Sequence, residues 1–196
     1  RNQDIYVTGN PILEVMEGVK RKSPDAQAPR SYVLLTLHRT ENTNDPETLR
    51  SLLLGAQSVA KHFGLPLVFP AHPRTQEKIS QLGLRVDGQV EALGLAEFLS
   101  LEEGAKIVLT DSGTVPEECC LLGVPCVTLR DSTERPELLE VGSTALGGTT
   151  PEGILRAAQV MGNRGPESWQ PPEEYTRTGV AENVVSIVLS HLHMGH

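Results

Sequence analysis

The residue types and spacing most suggestive of chemistry lie in Asp111-Ser112-Gly113-Thr114-Val115-Pro116-Glu117-Glu118. The apolar, β-branched run 106–110 precedes this octapeptide and reads as a buried strand. Cys119-Cys120-Leu121-Leu122-Gly123 follows and reads as a short helix closed by glycine. A strand-to-helix turn leaves backbone N–H groups unpaired at the positive end of the helix dipole. The turn therefore predicts a phosphate seat. Ser112 adds a hydroxyl, Gly113 admits close approach, and Pro116 gives up no N–H that the first turn needs. Glu117 and Glu118 repel an anion held there, so at least one must face something else. A ribose suits it, because two hydroxyls can donate to a carboxylate, which only accepts. A nucleoside diphosphate meets both demands. Strand, Ser-Gly and helix also follow one another in α/β proteins with no ligand at the turn, and that alternative stays open.

Three further clusters carry polar chemistry. Arg39 could hold a phosphate bidentately, with His38 donating a proton or a hydrogen bond; the alternative is a structural histidine beside a surface arginine. His72 and Arg74 are possible ligand contacts. The run 130–135 mixes arginines, hydroxyls and carboxylates. It is either a solvated loop of internal ion pairs or a loop that aims Arg135 at an anion. His191 and His193 stand two apart and point to different helix faces, so with His196 they predict no metal site.

These clusters need a scaffold. At 196 residues the chain makes one large domain or two small ones. A net charge of −8 argues against general nucleic-acid affinity and still permits a local basic pocket. No apolar run approaches the roughly 20 residues that span a membrane. Cys119, Cys120 and Cys126 lack a zinc spacing, and the adjacent pair is poorly placed to bridge. They read as buried free thiols of a reducing, cytoplasmic compartment. The chain opens without Met or a signal pattern and reads as a piece of a longer protein.

Residues 1–30 read as a strand at 5–7, a helix from Ile12 and a polar, proline-containing linker over 21–30. From 31 to 163 strands and helices alternate. Strands are expected at 32–37, 67–69, 90–92, 106–110, 125–129 and 144–146. Asp45 caps a helix with Pro46 at its first position, and Thr150 caps another. Residues 164–179 read as a polar surface excursion, and 181–192 as an amphipathic helix with Val184, Val185, Val188 and Leu189 on its apolar face. Such alternation predicts a parallel sheet covered on both faces, with ligands at the carboxyl ends of the strands. His38-Arg39, His72-Arg74, Asp111 to Glu118 and Arg130 to Arg135 all follow strands, so four polar loops share one edge.

Taken in order, Thr8-Gly9-Asn10-Pro11, Leu37-His38-Arg39-Thr40-Glu41-Asn42, Ala71-His72-Pro73-Arg74, Thr110-Asp111-Ser112-Gly113 with Glu117-Glu118, Gly123-Val124-Pro125 and Arg130-Asp131-Ser132-Thr133-Glu134-Arg135-Pro136-Glu137 resemble the C-terminal half of the non-hydrolysing UDP-N-acetylglucosamine 2-epimerase family. The resemblance implies an α/β, Rossmann-like UDP-binding domain over 31–163, one half of a GT-B-type two-domain fold. The family interconverts UDP-GlcNAc and UDP-ManNAc by elimination and re-addition of UDP. It implies no cofactor and no metal, and no nucleic-acid or membrane partner. The implied partners are UDP, UDP-N-acetylhexosamines, an N-terminal domain and, in the full-length protein, a second copy in a homodimer. The product feeds cell-envelope polysaccharide. On the matching positions His38 is the catalytic histidine. Ser112, Gly113, Thr114, Glu118, Arg135 and Arg39 bind UDP, with His72, Arg74 and Phe98 as possible contacts.

The family's second glycine is Thr114 here, which tightens the approach to phosphate. Its usual Pro-Leu-Gly-Tyr reads Ala92-Leu93-Gly94-Leu95, which removes an aromatic from the loop expected near uracil and leaves Phe98 to pack there. The family's proton-abstracting carboxylates belong to the N-terminal domain, so this chain alone is expected to bind UDP weakly and catalyse nothing. The other functions consistent with these motifs are a GT-B glycosyltransferase, a hydrolysing epimerase and a nucleotide-binding module without catalysis.

Overall fold

The computed structural model describes residues 5–22 and 32–192 of the chain. Six strands form one parallel sheet: β1 (Val33–Thr36), β2 (Leu67–Ala71), β3 (Gln89–Glu91), β4 (Ile107–Thr110), β5 (Cys126–Thr128) and β6 (Thr144–Leu146), in the order β3-β2-β1-β4-β5-β6. The chain winds outward from β1 in one direction, then restarts at β4 and winds outward in the other. The boundary between β1 and β4 is thus the switch point where such sheets open a crevice. Their register sets Thr36 beside Thr110, so the loops that follow leave the sheet side by side.

Alternation along the strands builds two cores. Val33, Leu35, Ile107, Leu109 and Val127 face one side, under α3 (Pro46–Phe63), α4 (Pro73–Gln81) and α8 (Pro151–Met161). Tyr32, Leu34, Val108 and Cys126 face the other, against α6 (Val115–Leu122) and the packed side chains of Phe98 and Leu101 on α5 (Leu95–Gly104). Burial on both faces explains why β1 and β4 are apolar in three consecutive residues before each ends in threonine. It also explains Cys119 and Cys126, which are free, buried thiols of the second core. The caps are as the sequence implies: the Asp45 carboxylate accepts from the Thr48 N–H at 2.9 Å, and Thr150 accepts from the Gly153 N–H at 3.2 Å.

Before the sheet comes α1 (Ile12–Lys22), so the helix runs into the span read as linker; the rest of that span lies outside the described residues. Between α3 and the sheet sits the short α2 (Thr40–Thr43), and α7 (Pro136–Val141) links β5 to β6. Residues 5–7 do not form the expected strand. Their backbone finds single partners instead of a ladder: Arg177 donates to the Val7 carbonyl, and the Asn10 N–H donates to that of Glu174. The segment 164–179, expected to be a surface excursion, carries α9 (Glu173–Thr176) and is pinned by two buried aromatics. Trp169 Nε1 donates to the Cys120 carbonyl at 3.1 Å, and the Tyr175 hydroxyl donates to Glu137 at 2.6 Å. The last helix, α10 (Val180–Leu192), leaves Val184, Val185, Val188 and Leu189 exposed. No helix among the described residues is long and apolar enough to cross a membrane.

Trp169→Ala is expected to destabilise the chain by about 3–5 kcal/mol, because it leaves a cavity and an unpaired carbonyl. Trp169→Phe isolates the carbonyl bond at about 1 kcal/mol. Trp169 is the only tryptophan, so urea unfolding must be followed by circular dichroism; equal midpoints for wild type and the alanine variant would show that the segment does not anchor.

Candidate functional site

Asp111, the first residue after β4, is fully buried and gathers the loop after β1 around itself. Its carboxylate accepts from the His38 N–H at 3.1 Å, the Arg39 N–H at 3.0 Å and Asn42 Nδ2 at 3.1 Å. His38 Nδ1 lies 3.1 Å from Oδ1 of the same group. Burial alone would raise the Asp111 pKa. The bonds from His38, the Arg39 N–H and Asn42 outweigh it and hold the group below its ordinary value. In return, the bond to Asp111 raises the pKa of His38, against a smaller opposing effect of burial. His38 is therefore a half-exposed imidazole biased toward its cation, with Nδ1 fixed and Nε2 left over.

The octapeptide turns as its residues imply, with Thr114 opening α6 and Gly123 closing it in the left-handed region at φ 71°. Ser112 Oγ accepts from the Thr114 N–H at 3.2 Å, which leaves the hydroxyl proton to donate elsewhere. Gly113 has neither a positive φ nor crowding: a Cβ there would meet only Arg39 Nη2, at 3.8 Å. The fold does not require glycine at this position, so its lack of a side chain leaves room beside an arginine and a helix start. The Gly113 N–H meets no acceptor among the described residues.

The adjacent glutamates turn to different partners. Glu117 is buried and holds Nε of the half-exposed Arg135 in an ion pair, which raises the guanidinium's pKa further. Glu118 is nearly buried against the carboxyl of Glu102 on α5, and its pKa is raised chiefly by that burial. Within the run 130–135, Arg130 is engaged by Glu134 through two bonds, at 2.8 and 2.5 Å. The loop thus contains the internal pair that its mixed charge suggested and still presents Arg135. Arg39 is partly engaged by Glu41 at 3.1 Å.

His72 caps α4, its Nδ1 accepting from the Arg74 N–H at 3.3 Å. With Arg74, Lys78, Thr43 and His38 it lines a cleft of ≈ 600 Å³. Phe98 packs against the second core, the cluster that includes Val115 of α6. His191 meets Tyr6 edge-on, and His193 and His196 lie outside the described residues. Among the described residues no three His, Cys, Asp or Glu side chains converge as a metal set. Sequence reasoning gave no role to Asp111, Asn42 or Glu102. The signal for Asp111 was its place as the first ionisable residue after a central strand of Ile, Val, Leu and Thr.

The family model described as UDP-N-acetylglucosamine 2-epimerase matches residues 1–189. A UDP-N-acetylglucosamine 2-epimerase of Methanococcus maripaludis is 37% identical over 177 residues, covering 82% of this chain and 48% of the relative. A UDP-2,3-diacetamido-2,3-dideoxy-D-glucuronate 2-epimerase of Pseudomonas aeruginosa is 40% identical over 129 residues, 65% of this chain and 36% of that one. The crystal structure of Methanocaldococcus jannaschii UDP-GlcNAc 2-epimerase in complex with UDP-GlcNAc and UDP aligns with a TM-score of 0.82 at 34% identity, covering 97% of this chain and 56% of that chain. The calicheamicin glycosyltransferase CalG4, at 19% identity and a TM-score of 0.51, shares the fold alone. The sheet is therefore Rossmann-like, among neighbours of the GT-B type. The chain spans about half the length of the curated relatives it matches.

Asp111→Asn is expected to return the His38 titration toward 6.5, read from imidazole proton shifts. It should also cost about 1–3 kcal/mol, because the amide cannot accept every bond that the carboxylate takes and leaves a buried donor unpaired. The sign follows from both groups. The raised His38 pKa adds stability below 6.5 that is lost as pH rises through the folded value. The lowered Asp111 pKa adds stability above its ordinary 3.8 that is lost as pH falls through the folded value. An unchanged His38 titration in a folded variant would show that Asp111 does not control the ring.

Proposed function

The chain belongs to the UDP-N-acetylglucosamine 2-epimerase family, and on that footing we propose that it is the UDP-binding part of an isomerase that interconverts UDP-GlcNAc and UDP-ManNAc. One observation carries the reading. An open Gly113 lies between Arg39 and the start of α6, at the sheet edge that also presents His38 and the tethered Arg135. Removal of the C2 proton forms the C1–C2 double bond of a 2-acetamidoglucal. The C1–O bond breaks, and its electron pair leaves on UDP, whose terminal phosphate gains one negative charge. UDP then adds back at C1 while C2 takes a proton on the opposite face. Protonated His38, Arg39, Arg135 and the Gly113 N–H are donors aimed where that charge develops, so they lower the barrier of both steps. Ser112 donates its hydroxyl to phosphate, Thr114 borders the seat, and Glu118 accepts from the ribose hydroxyls. The exposed Leu93 and Leu95 and the neighbouring Phe98 offer the uracil an apolar face.

The C2 base comes, in this reading, from a second domain of a longer chain. The bare apolar stripe of α10 and the helix α1 are the surfaces that would meet it. The assembled enzyme is a cytoplasmic homodimer. A second substrate reading is favoured by the cleft lined by His72, Arg74 and Lys78. Arg74 and Lys78, two cations against the one carboxylate of Glu77 in the same lining, suit a sugar carrying a C6 carboxylate, as in the glucuronate named for the Pseudomonas relative.

The test is to incubate the longer protein that contains this chain with UDP-GlcNAc in deuterated water. Deuterium at C2 together with UDP-ManNAc supports the epimerase. Transfer to an acceptor without exchange would mean a glycosyltransferase, free ManNAc a hydrolysing enzyme, and UDP binding without any turnover a binding module. For this chain alone, calorimetric titration with UDP should show saturable binding that Glu118→Ala weakens by about 10–100-fold, the range for hydrogen bonds to a charged acceptor. The affinity should fall as pH rises through the raised pKa of His38, above 6.5, and His38→Gln should flatten that dependence.

A further inference from the structure

Glu102 is fully buried in α5, yet nothing in the mechanism uses it. No N–H or hydroxyl donor of the described residues reaches either of its carboxyl oxygens. The group it meets is the carboxyl of Glu118, across the contact between α5 and α6. Two carboxyls can hydrogen-bond only if one of them keeps its proton. The surroundings say which. Burial raises the pKa of Glu102 most, the Glu118 charge raises it further, and Cys126 lies on the same side. Burial raises the pKa of Glu118 as well, but less deeply placed as it is, it is also lowered by the bond from Glu102, against the neighbouring charge of Glu117. Cys119 completes the surroundings as a buried thiol whose pKa is pushed up by burial and by contact with Cys126. A fully buried carboxyl that no N–H or hydroxyl of the described residues reaches is favoured in its neutral form. Of the two, Glu102 is therefore suited to keep the shared proton, and Glu118, at the edge of the turn, is suited to carry the charge.

We propose that Glu102 is the positioning residue of the ribose seat, donating its proton to one Glu118 oxygen so that this carboxylate stays ionised and presents its other oxygen to the ribose hydroxyls. The proposal rests on the reading of Glu118 as the ribose acceptor and adds the device that orients it. An unpartnered buried acid is otherwise unfavourable, because replacing it with an apolar side chain removes a desolvation cost. The arrangement makes sense where the lone carboxylate it creates has a ligand to bind. It also predicts selectivity. A carboxylate held in one orientation tells a ribose from a 2′-deoxyribose, whereas a free rotor would make its remaining bond to either.

The test compares UDP with 2′-deoxy-UDP by calorimetry on this chain. Wild type is expected to prefer UDP by roughly 10–100-fold, one hydrogen bond to a charged acceptor. Glu102→Gln, whose amide N–H₂ donates in place of the proton, should keep that preference. Glu102→Leu should reduce it to about threefold or less, because an unheld carboxylate loses most of that bond. Glu102→Met replaces the leucine variant if circular dichroism shows that the latter does not fold. A folded apolar variant that retains the full preference overturns the proposal, as does one that weakens both nucleotides equally, since that marks a purely structural role. If wild type shows no preference, or Glu118→Gln keeps it, the ribose reading itself fails and the proposal falls with it.

Discussion

The site depends on one buried carboxylate, Asp111. It receives two backbone N–H groups and two side chains from the loop after β1, all across the seam where the strand order reverses. A charge with no exposed surface persists only when it is this fully hydrogen-bonded. The loop that carries His38 and Arg39 is therefore held in place by the same bonds that keep Asp111 ionised. Position and electrostatics are coupled here. The interaction that fixes the ring also raises its affinity for a proton, so His38 is biased toward its cation beside the turn that opens α6.

Around that centre the chain resolves a conflict that its composition creates. It carries eight more acidic than basic charges, and two carboxylates stand in the first turn of the helix that should hold an anion. Glu117 is paired with Arg135, which turns an obstacle into a tether: the half-exposed arginine is held from a buried anchor and not on a free stem. Glu118 shares its surroundings with a second acid, so one proton lowers the charge of the pair. Neither solution places a counter-ion at the turn itself, which stays open at Gly113 for the phosphate the proposal puts there.

Much of this was legible in the sequence because it is local. Strand positions followed from apolar runs, α3 and α8 from Asp45-Pro46 and Thr150-Pro151, and the end of α6 from Gly123. The clustering of His38, Arg39, Gly113 and Arg135 followed from one rule, that loops after parallel strands share an edge. What escaped was the long-range pairing. Residues 5–7 have the composition of a strand, but a strand exists only if a neighbour offers a ladder, and sequence does not say whether one does. Trp169 and Tyr175 lie in a polar, proline-rich stretch, and their burial depends on a groove built by α6 and α7. Glu102 left a readable sign: it stands four residues after Phe98 and three after Leu99, a core position occupied by an acid. The identity of its partner, sixteen residues away on another helix, was not readable.

The separation of scales explains how an acidic chain can be read as a seat for a diphosphate. Charges more than about 8 Å apart are largely screened at physiological ionic strength, so the net charge governs solubility more than it governs this cleft. Within the cleft the dielectric is lower, and nearby dipoles and cations decide the outcome. The hydroxyl, imidazole and guanidinium donors after the strands are each already fixed by a bond on the inner side: Ser112 by the Thr114 N–H, His38 by Asp111, Arg135 by Glu117. Groups held in this way need not reorganise when negative charge appears on a leaving phosphate, and in the elimination proposed above, whose proton is removed elsewhere, that preorganisation is the largest contribution this chain would make.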